Sequence, residues 1–219
     1  MADRAMDEAK AALRRDAHAR RAAIPPQSRA EHARAIAGHF FEHIAYGPQD
    51  VIAGYWRIRD ETDCQPILVR LMDAGQTVVL PVVQGDQAPL DMRVWQADAP
   101  LYEAGFGTLA PPDLAPRAAP DLVLVPLLGF DGKGTRLGYG GGYYDRTIAA
   151  LEKKPLLVGL AYAAQEFDEI PREAHDVPLD AIVTDEGVRF FGATRRDYYS
   201  WVMWSAGPAA MRSANACRG

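Results

Sequence analysis

The sequence predicts an α/β fold: a mostly parallel sheet flanked by helices, with a helical segment at the N-terminus. Three observations carry that expectation. Short apolar runs of strand type alternate with segments whose apolar residues recur at helical spacing. The most apolar run, Leu122-Val-Leu-Val-Pro-Leu-Leu128, is continuous, the pattern of a strand buried on both faces in the middle of a parallel sheet. Strands that alternate with helices in this way close into right-handed crossovers.

Residues 3–22 are rich in alanine and arginine and stop before Pro25-Pro26, which reads as a helix. A second helix spans about 28–44, with Ser28 as its N-cap. Val51-Ile-Ala-Gly-Tyr-Trp56 is the first strand. Ile67, Leu68, Leu71 and Met72 share one face of a helix over 64–74, which Gly75 closes. Residues 77–80, ahead of Pro81, form a strand, and 90–95 another. The proline-rich stretch 97–120 reads as a long surface connection. After the run at 122–128 come a glycine-rich turn and a helix over about 143–151. Strands at 156–160, 181–183 and 188–191 complete the sheet. Residues 1–194 therefore make a single domain, with the helices of 3–45 packed on the sheet. Residues 195–219 read as a C-terminal appendage, partly mobile, that carries Tyr198, Tyr199, Trp201 and Trp204.

Composition removes several classes of function. An apolar share of 48% excludes wholesale disorder. A formal charge of −5 argues against general nucleic-acid binding, whose footprint is a basic domain. Two cysteines, Cys64 and Cys217, make neither a disulfide framework nor a four-cysteine metal site. No base is legible beside Cys64, which reads as a small helix residue. No apolar run reaches the roughly 18–20 residues of a membrane span. The N-terminus lacks the apolar core of a secretory signal, so the expected location is the cytoplasm, with no membrane partner.

The chemistry is concentrated in Gly129-Phe-Asp-Gly-Lys-Gly-Thr-Arg-Leu-Gly-Tyr-Gly-Gly-Gly-Tyr-Tyr-Asp-Arg146. This stretch follows the most buried strand, at the sheet edge where open α/β folds place ligands. Gly138, Gly140, Gly141 and Gly142 crowd five positions, as expected where backbone amides must approach a ligand with no Cβ between. The helix behind offers unpaired N–H groups and a positive dipole end. Lys133, Arg136 and Arg146 add cations. Together they predict a phosphate site. Two familiar phosphate loops fail on counting. Gly129 and Gly134 have the Walker spacing, but Thr135 stands where the lysine must be. Gly138-x-Gly140 opens a dinucleotide fingerprint, but position 143 is tyrosine instead of the third glycine.

The run Phe130-Asp131, Gly134 and Arg136-Leu-Gly-Tyr-Gly-Gly-Gly-Tyr-Tyr-Asp-Arg146 resembles the signature of the 5-formyltetrahydrofolate cyclo-ligase family. The resemblance extends from about Lys10 to about Val188. It implies a sheet related to those of phosphosugar isomerases and CoA-transferases. It also implies ATP and Mg²⁺, with 5-formyltetrahydrofolate, polyglutamylated or not, converted to 5,10-methenyltetrahydrofolate, ADP and phosphate. The chemistry so implied passes through an N5-iminium phosphate, in a monomeric enzyme.

The resemblance distributes roles. Arg136 and Asp145 become the catalytic pair. ATP falls to Lys10, Arg14, Gly138, Tyr139, Gly140, Gly141, Gly142, Tyr143 and Arg146. Folate falls to Glu61 and Tyr143, and Mg²⁺ to Asp145 with Asp131 second. Several of these positions also make sense without it. Lys10 and Arg14 are four apart, and like charges at that helical spacing cost roughly 0.2–0.5 kcal/mol unless an anion lies between them. They read equally as part of a solvated basic face with Arg15, Arg20 and Arg21. Glu61 follows the first strand, another carboxyl end of the sheet, although Thr62-Asp63 behind it depart from the family order. Asp145 in a first helical turn suits Mg²⁺, which takes one or two carboxylates alongside substrate phosphates; it equally complements the helix dipole. One of Tyr143 and Tyr144 is expected to turn into the core, leaving Tyr143 to the ligand. His175-Asp176 resembles a family pair and has no assigned role. Leu109-Ala110-Pro111 departs from the family's common Glu-Pro. A sugar-phosphate isomerase working without ATP, and a non-catalytic nucleotide- or RNA-binding module, remain as other readings of the same loop.

Overall fold

A computed structural model of the chain describes residues 2–105, 107–173 and 175–191; the appendage expected at 195–219 lies outside the described residues. Helix α1 (Ala2–Ala22) leads into α2 (Pro26–His43). Strand β1 (Val51–Ala53), helix α3 (Gln65–Asp73), strand β2 (Thr77–Val82) and strand β3 (Asp91–Val94) follow. The long connection is not featureless, because β4 (Tyr102–Glu103) and β5 (Leu109–Ala110) pair within it as a small hairpin. Next come β6 (Leu122–Pro126), β7 (Gly129–Asp131), β8 (Arg136–Leu137), α4 (Tyr143–Ala150) and β9 (Leu156–Leu160). A 3₁₀ turn (Ala163–Gln165), β10 (Glu166–Phe167), β11 (Ala181–Thr184) and β12 (Gly187–Phe190) end the described chain.

The main sheet has seven strands in the order β12-β11-β9-β6-β1-β2-β3. The inner five are parallel and the two edges, β12 and β3, antiparallel. Strand β6 lies at the centre, between β1 and β9, as its continuous apolar run predicts. Period-two alternation sorts its side chains: Leu122 and Leu124 join Ile52, Phe40, Leu68 and Leu71 on the face covered by α2 and α3. Val123 and Val125 join Ala53, Val79, Leu157 and Ile148 on the face covered by α4. The expected mixed α/β architecture with a mostly parallel sheet is what the structure has.

Local departures have local reasons. Helix α2 starts at Pro26, not at Ser28, because proline at the first helical position loses an N–H that had no partner anyway. The Ser28 hydroxyl donates back to the Pro25 carbonyl at 2.9 Å. Strand β1 stops at Ala53, and Gly54 beyond it lies against Leu68; a Cβ there would come within 2.5 Å of a Leu68 methyl. Pro81 sits inside β2 because its missing N–H points to the β1 side, past the last β1 pairing at Ala53 and Val79.

A second sheet, β10-β7-β8, is inserted between β6 and the glycine loop. Helix α1 packs on this small sheet, burying Ala17 with Leu128, Leu137, Phe167 and Ile170. The two N-terminal helices thus part company, α2 covering the main sheet and α1 leaning on the insert. No helix among the described residues is long and apolar enough to cross a membrane.

Candidate active site

Three stretches meet at the carboxyl end of the parallel strands: the segment after β1, the glycine loop ahead of α4, and the residues before β11. Helix α1 ties them together with one face. Lys10, Arg14 and Arg21 are spaced four and seven apart, so they lie along one side of the helix. Each reaches a different stretch. The Lys10 ammonium donates to Glu173 Oε2 and Asp176 Oδ2, both at 2.7 Å. Arg14 Nε donates to the Gly138 carbonyl at 2.9 Å. Arg21 pairs with Asp60 and with the Tyr139 hydroxyl.

The glycine loop is shaped by its own backbone. Gly140 and Gly142 have φ of +97° and +64°, the left-handed region that glycine enters without a Cβ clash. Gly142 caps α4, and Asp145 sits in the first turn. Asp145 Oδ1 accepts hydrogen bonds from the Arg136 guanidinium and from the Val177 N–H, the latter at 3.3 Å. Arg136 also donates to the Val177 carbonyl. Arg146 folds back to the loop, donating to the Gly141 carbonyl at 2.7 Å, with its guanidinium carbon 5.2 Å from the Tyr143 ring centroid.

Glu61 is buried, and both of its oxygens are engaged. Oε1 accepts the Tyr139 hydroxyl at 2.6 Å, and Oε2 accepts the Ile58 N–H at 2.8 Å. Burial raises its pKa above the usual carboxylate value, although those two bonds and the Arg21 charge pull the other way. Burial also lifts the Tyr139 phenol, reinforced by the Glu61 charge. Tyr144 stands in the same field: burial, then Glu61 and Cys64, push its phenol well above the ordinary value. For Asp176, burial is outweighed by the Glu173 N–H and by Lys10, which hold the carboxyl below the usual range.

The structure brings together Glu61, Tyr139, Arg14 and the glycines, and pairs Arg136 with Asp145. Other predicted residues are placed differently. Asp131 is buried, and its carboxylate accepts the N–H groups of Lys133 and Thr135, both at 2.9 Å, and of Ile170 at 3.1 Å. It pins the turn between β7 and β8, and those three backbone bonds give the carboxylate a structural task away from the glycine loop's own contacts. Lys133 points away from the loop to Glu169, at 2.7 Å on the surface. Tyr143 and Tyr144 are both half-buried against the α4-side core, so the pair does not divide cleanly into one core ring and one ligand ring.

Arg21, Asp60, Glu173 and Tyr144 escaped prediction as site residues, and Asp176 enters the sequence reading only as half of the His175-Asp176 pair with no assigned role. For Arg21 a signal existed: seven residues after Arg14 is the same helical face. Donor atoms of Glu173, His175 and Asp176 lie within 4.8 Å of one another, and Lys10 already bridges the two carboxylates.

Residues 6–185 match the model of the 5-formyltetrahydrofolate cyclo-ligase family. The 5-formyltetrahydrofolate cyclo-ligase of Escherichia coli strain K12 is 30% identical over 182 residues, 77% of this chain and 96% of that protein. The NMR structure of Aquifex aeolicus 5,10-methenyltetrahydrofolate synthetase superposes with a TM-score of 0.72 at 29% identity, covering 83% of this chain and 92% of that one. A 5,10-methenyltetrahydrofolate synthetase from Mycoplasma pneumoniae gives a TM-score of 0.65 at 25% identity, covering 80% and 98%. With most of its length matched in sequence and in fold, the chain belongs to the 5-formyltetrahydrofolate cyclo-ligase family.

Proposed function

We propose that the chain converts 5-formyltetrahydrofolate to 5,10-methenyltetrahydrofolate at the expense of ATP, releasing ADP and phosphate. One observation carries the reading. The four-glycine loop, set among arginines, is joined to the buried carboxylate of Glu61 by the 2.6 Å Tyr139 bond, so a phosphate cradle and an organic-substrate anchor adjoin. Family membership supplies the substrate.

The loop suits closely approaching phosphates. A Cβ on Gly140 would lie 3.4 Å from the Arg14 guanidinium, one on Gly141 2.9 Å from the Tyr143 ring, and one on Gly142 2.6 Å from Arg146 Nη1. Glycine keeps the amides bare beside the positive end of α4. Arg14, Arg136, Arg146 and, once freed from its carboxylates, Lys10 supply the countercharge. Asp145, with both of its protein bonds on Oδ1, has Oδ2 to offer Mg²⁺. Bound there, Mg²⁺ would neutralise charge on the phosphates.

An amide oxygen is a poor leaving group, so the formyl oxygen has to be activated. It takes the terminal phosphoryl group as ADP departs, which leaves an N5-iminium phosphate. N10 then adds to the activated carbon and loses its proton, and the C–O bond breaks to free phosphate and leave the methenyl bridge. No side chain forms a covalent bond. The chain's work is alignment and countercharge, the terms that dominate phosphoryl transfer. Arg136 and Arg14 neutralise the transferring group, Glu61 holds the folate beside its reacting nitrogens, and Tyr143 borders the rings. We place the enzyme in the cytoplasm as a monomer, accepting the folate with or without a polyglutamate tail.

Purified protein mixed with 5-formyltetrahydrofolate and Mg²⁺ should form methenyl product, followed in the near ultraviolet, only when ATP is added. Product formed without ATP, or no product with it, overturns the proposal.

A further inference from the structure

Arg21 takes no part in the chemistry just described, yet it is 1% exposed. A guanidinium is buried at a cost unless it is paired and hydrogen-bonded. Asp60 supplies the pairing, with its Oδ1 2.9 Å from Arg21 Nε and 2.6 Å from Nη2. The remaining arm, Nη1, donates to the Tyr139 hydroxyl oxygen at 2.8 Å, and the guanidinium carbon lies 5.7 Å from the Tyr139 ring centroid.

The direction of these bonds is fixed by chemistry. Arginine has donors and no acceptor, so the phenol oxygen must accept from it. The phenol proton is then directed to the other close partner, Glu61 Oε1 at 2.6 Å. Glu61 Oε2 accepts from Ile58 N–H, so the carboxyl group is an acceptor at both oxygens and is held in one orientation. An ionised carboxylate has about four acceptor sites, which leaves two for N–H groups of a ligand.

We propose that Arg21 is a positioning residue for the folate: acting through the Tyr139 hydroxyl, it sets the orientation in which Glu61 meets the N–H-rich edge of a reduced pterin. The inference rests on the assignment of Glu61 to the folate, and it goes further by naming what prepares that carboxylate.

The test measures binding of 5-formyltetrahydrofolate and of ATP separately, by titration calorimetry, on full-length protein whose folding is checked by circular dichroism. Tyr139→Phe keeps the Arg21–Asp60 pair and the backbone amide that the loop offers to ATP, so it should weaken folate binding about tenfold and ATP binding by no more than about threefold. Arg21→Met should give the same selective loss, and the double variant no more than either single one, since both cut one path. Arg21→Lys should recover most of the affinity. A loss shared equally by folate and ATP, or additive losses in the double variant, would show that Arg21 is merely structural. If Glu61→Gln binds folate as the native chain does, the Glu61 assignment itself falls. If Glu61→Gln weakens folate binding while Tyr139→Phe leaves it intact, only the relay falls. Should Arg21→Met fail to fold, Tyr139→Phe alone decides the matter.

Discussion

The Tyr139 hydroxyl lies 2.6 Å from Glu61 Oε1, joining residues 78 positions apart. That bond ties the glycine loop to the segment after β1. Tyr139 belongs to a loop fit for phosphate, and Glu61 belongs to the segment leaving the neighbouring central strand. A transfer from phosphate to an organic oxygen requires the two substrates at contact distance, with little freedom left. In the proposed reaction, the hydrogen bond would hold their anchors at a fixed distance before either substrate arrives.

Arg136 and Asp145 are bonded to one another. In the proposed reaction each has its own task, Arg136 at the transferring group and Asp145 toward Mg²⁺. Removing one electrostatic stabiliser from such a site typically costs about 10²–10³ in turnover. Arg136→Ala and Asp145→Ala are each expected to lower kcat by at least that much, with circular dichroism spectra unchanged. The exchanged pair, Arg136→Asp with Asp145→Arg, should stay inactive. Recovery in the exchanged pair would mark the contact as structural only.

Much of the fold could be read from the sequence because its signals are local. Strand β6 announces itself by a continuous apolar run, and α4 by a glycine cap followed by helical spacing. Pro81 misleads for a physical reason: a proline stops a strand only where a neighbour needs its N–H, and no sequence shows where β1 ends. The insert β7–β8 has strands of three and two residues, too short for a period to appear. The glycine loop is legible since its residues are contiguous. The Arg21–Tyr139–Glu61 chain is not, since its members lie 118 and 78 residues apart and meet only after folding. Asp131 shows the opposite error, a carboxylate whose neighbours suggest a ligand while its bonds all go to backbone.

Asp131 separates a structural from a metal role. Its carboxylate satisfies the N–H groups of Lys133, Thr135 and Ile170 in a buried setting. Each buried donor left unpaired costs roughly 1–3 kcal/mol, so Asp131→Ala should lose on the order of 3 kcal/mol in urea denaturation. Below the unfolding transition, the specific activity of the folded fraction should remain within twofold. A Mg²⁺ ligand at this position would show the reverse, lost activity with stability nearly unchanged.

Stability should fall in alkali. Burial pushes the Cys64 thiol from 9.0 up to about 12, and it drives the phenols of Tyr55 and Tyr144 well above 10.0. Above pH 9 the unfolded chain sheds a thiol proton that the folded chain keeps. From pH 10 the tyrosines do the same. Stability from these groups is therefore level below pH 9 and declines between about pH 9 and 12. Each group contributes up to about tenfold in the folding constant per pH unit. Urea midpoints measured from pH 7 to 10.5 should show this decline, with a shallower onset in Cys64→Ala. The same burial should leave Cys64 unlabelled by iodoacetamide at pH 8 in a native Cys217→Ser variant, and labelled once urea is added.

Gly140 gives the sharpest test of the cradle. Its φ of +97° is rarely adopted by residues with a Cβ, and an added Cβ would meet the Arg14 guanidinium at 3.4 Å. Gly140→Ala therefore strains the loop backbone by about 1–3 kcal/mol, while the added Cβ makes only ordinary contact with Arg14. At Gly138 an added Cβ meets nothing within 4 Å, and its φ is not positive. If the loop amides approach phosphate, Gly140→Ala should weaken ATP binding at least tenfold, and Gly138→Ala less than threefold. Binding of 5-formyltetrahydrofolate without nucleotide should change less than twofold in both. Equal ATP affinity in all three proteins would mean that the nucleotide lies elsewhere, since an alanine at this backbone position cannot leave a close anion contact undisturbed.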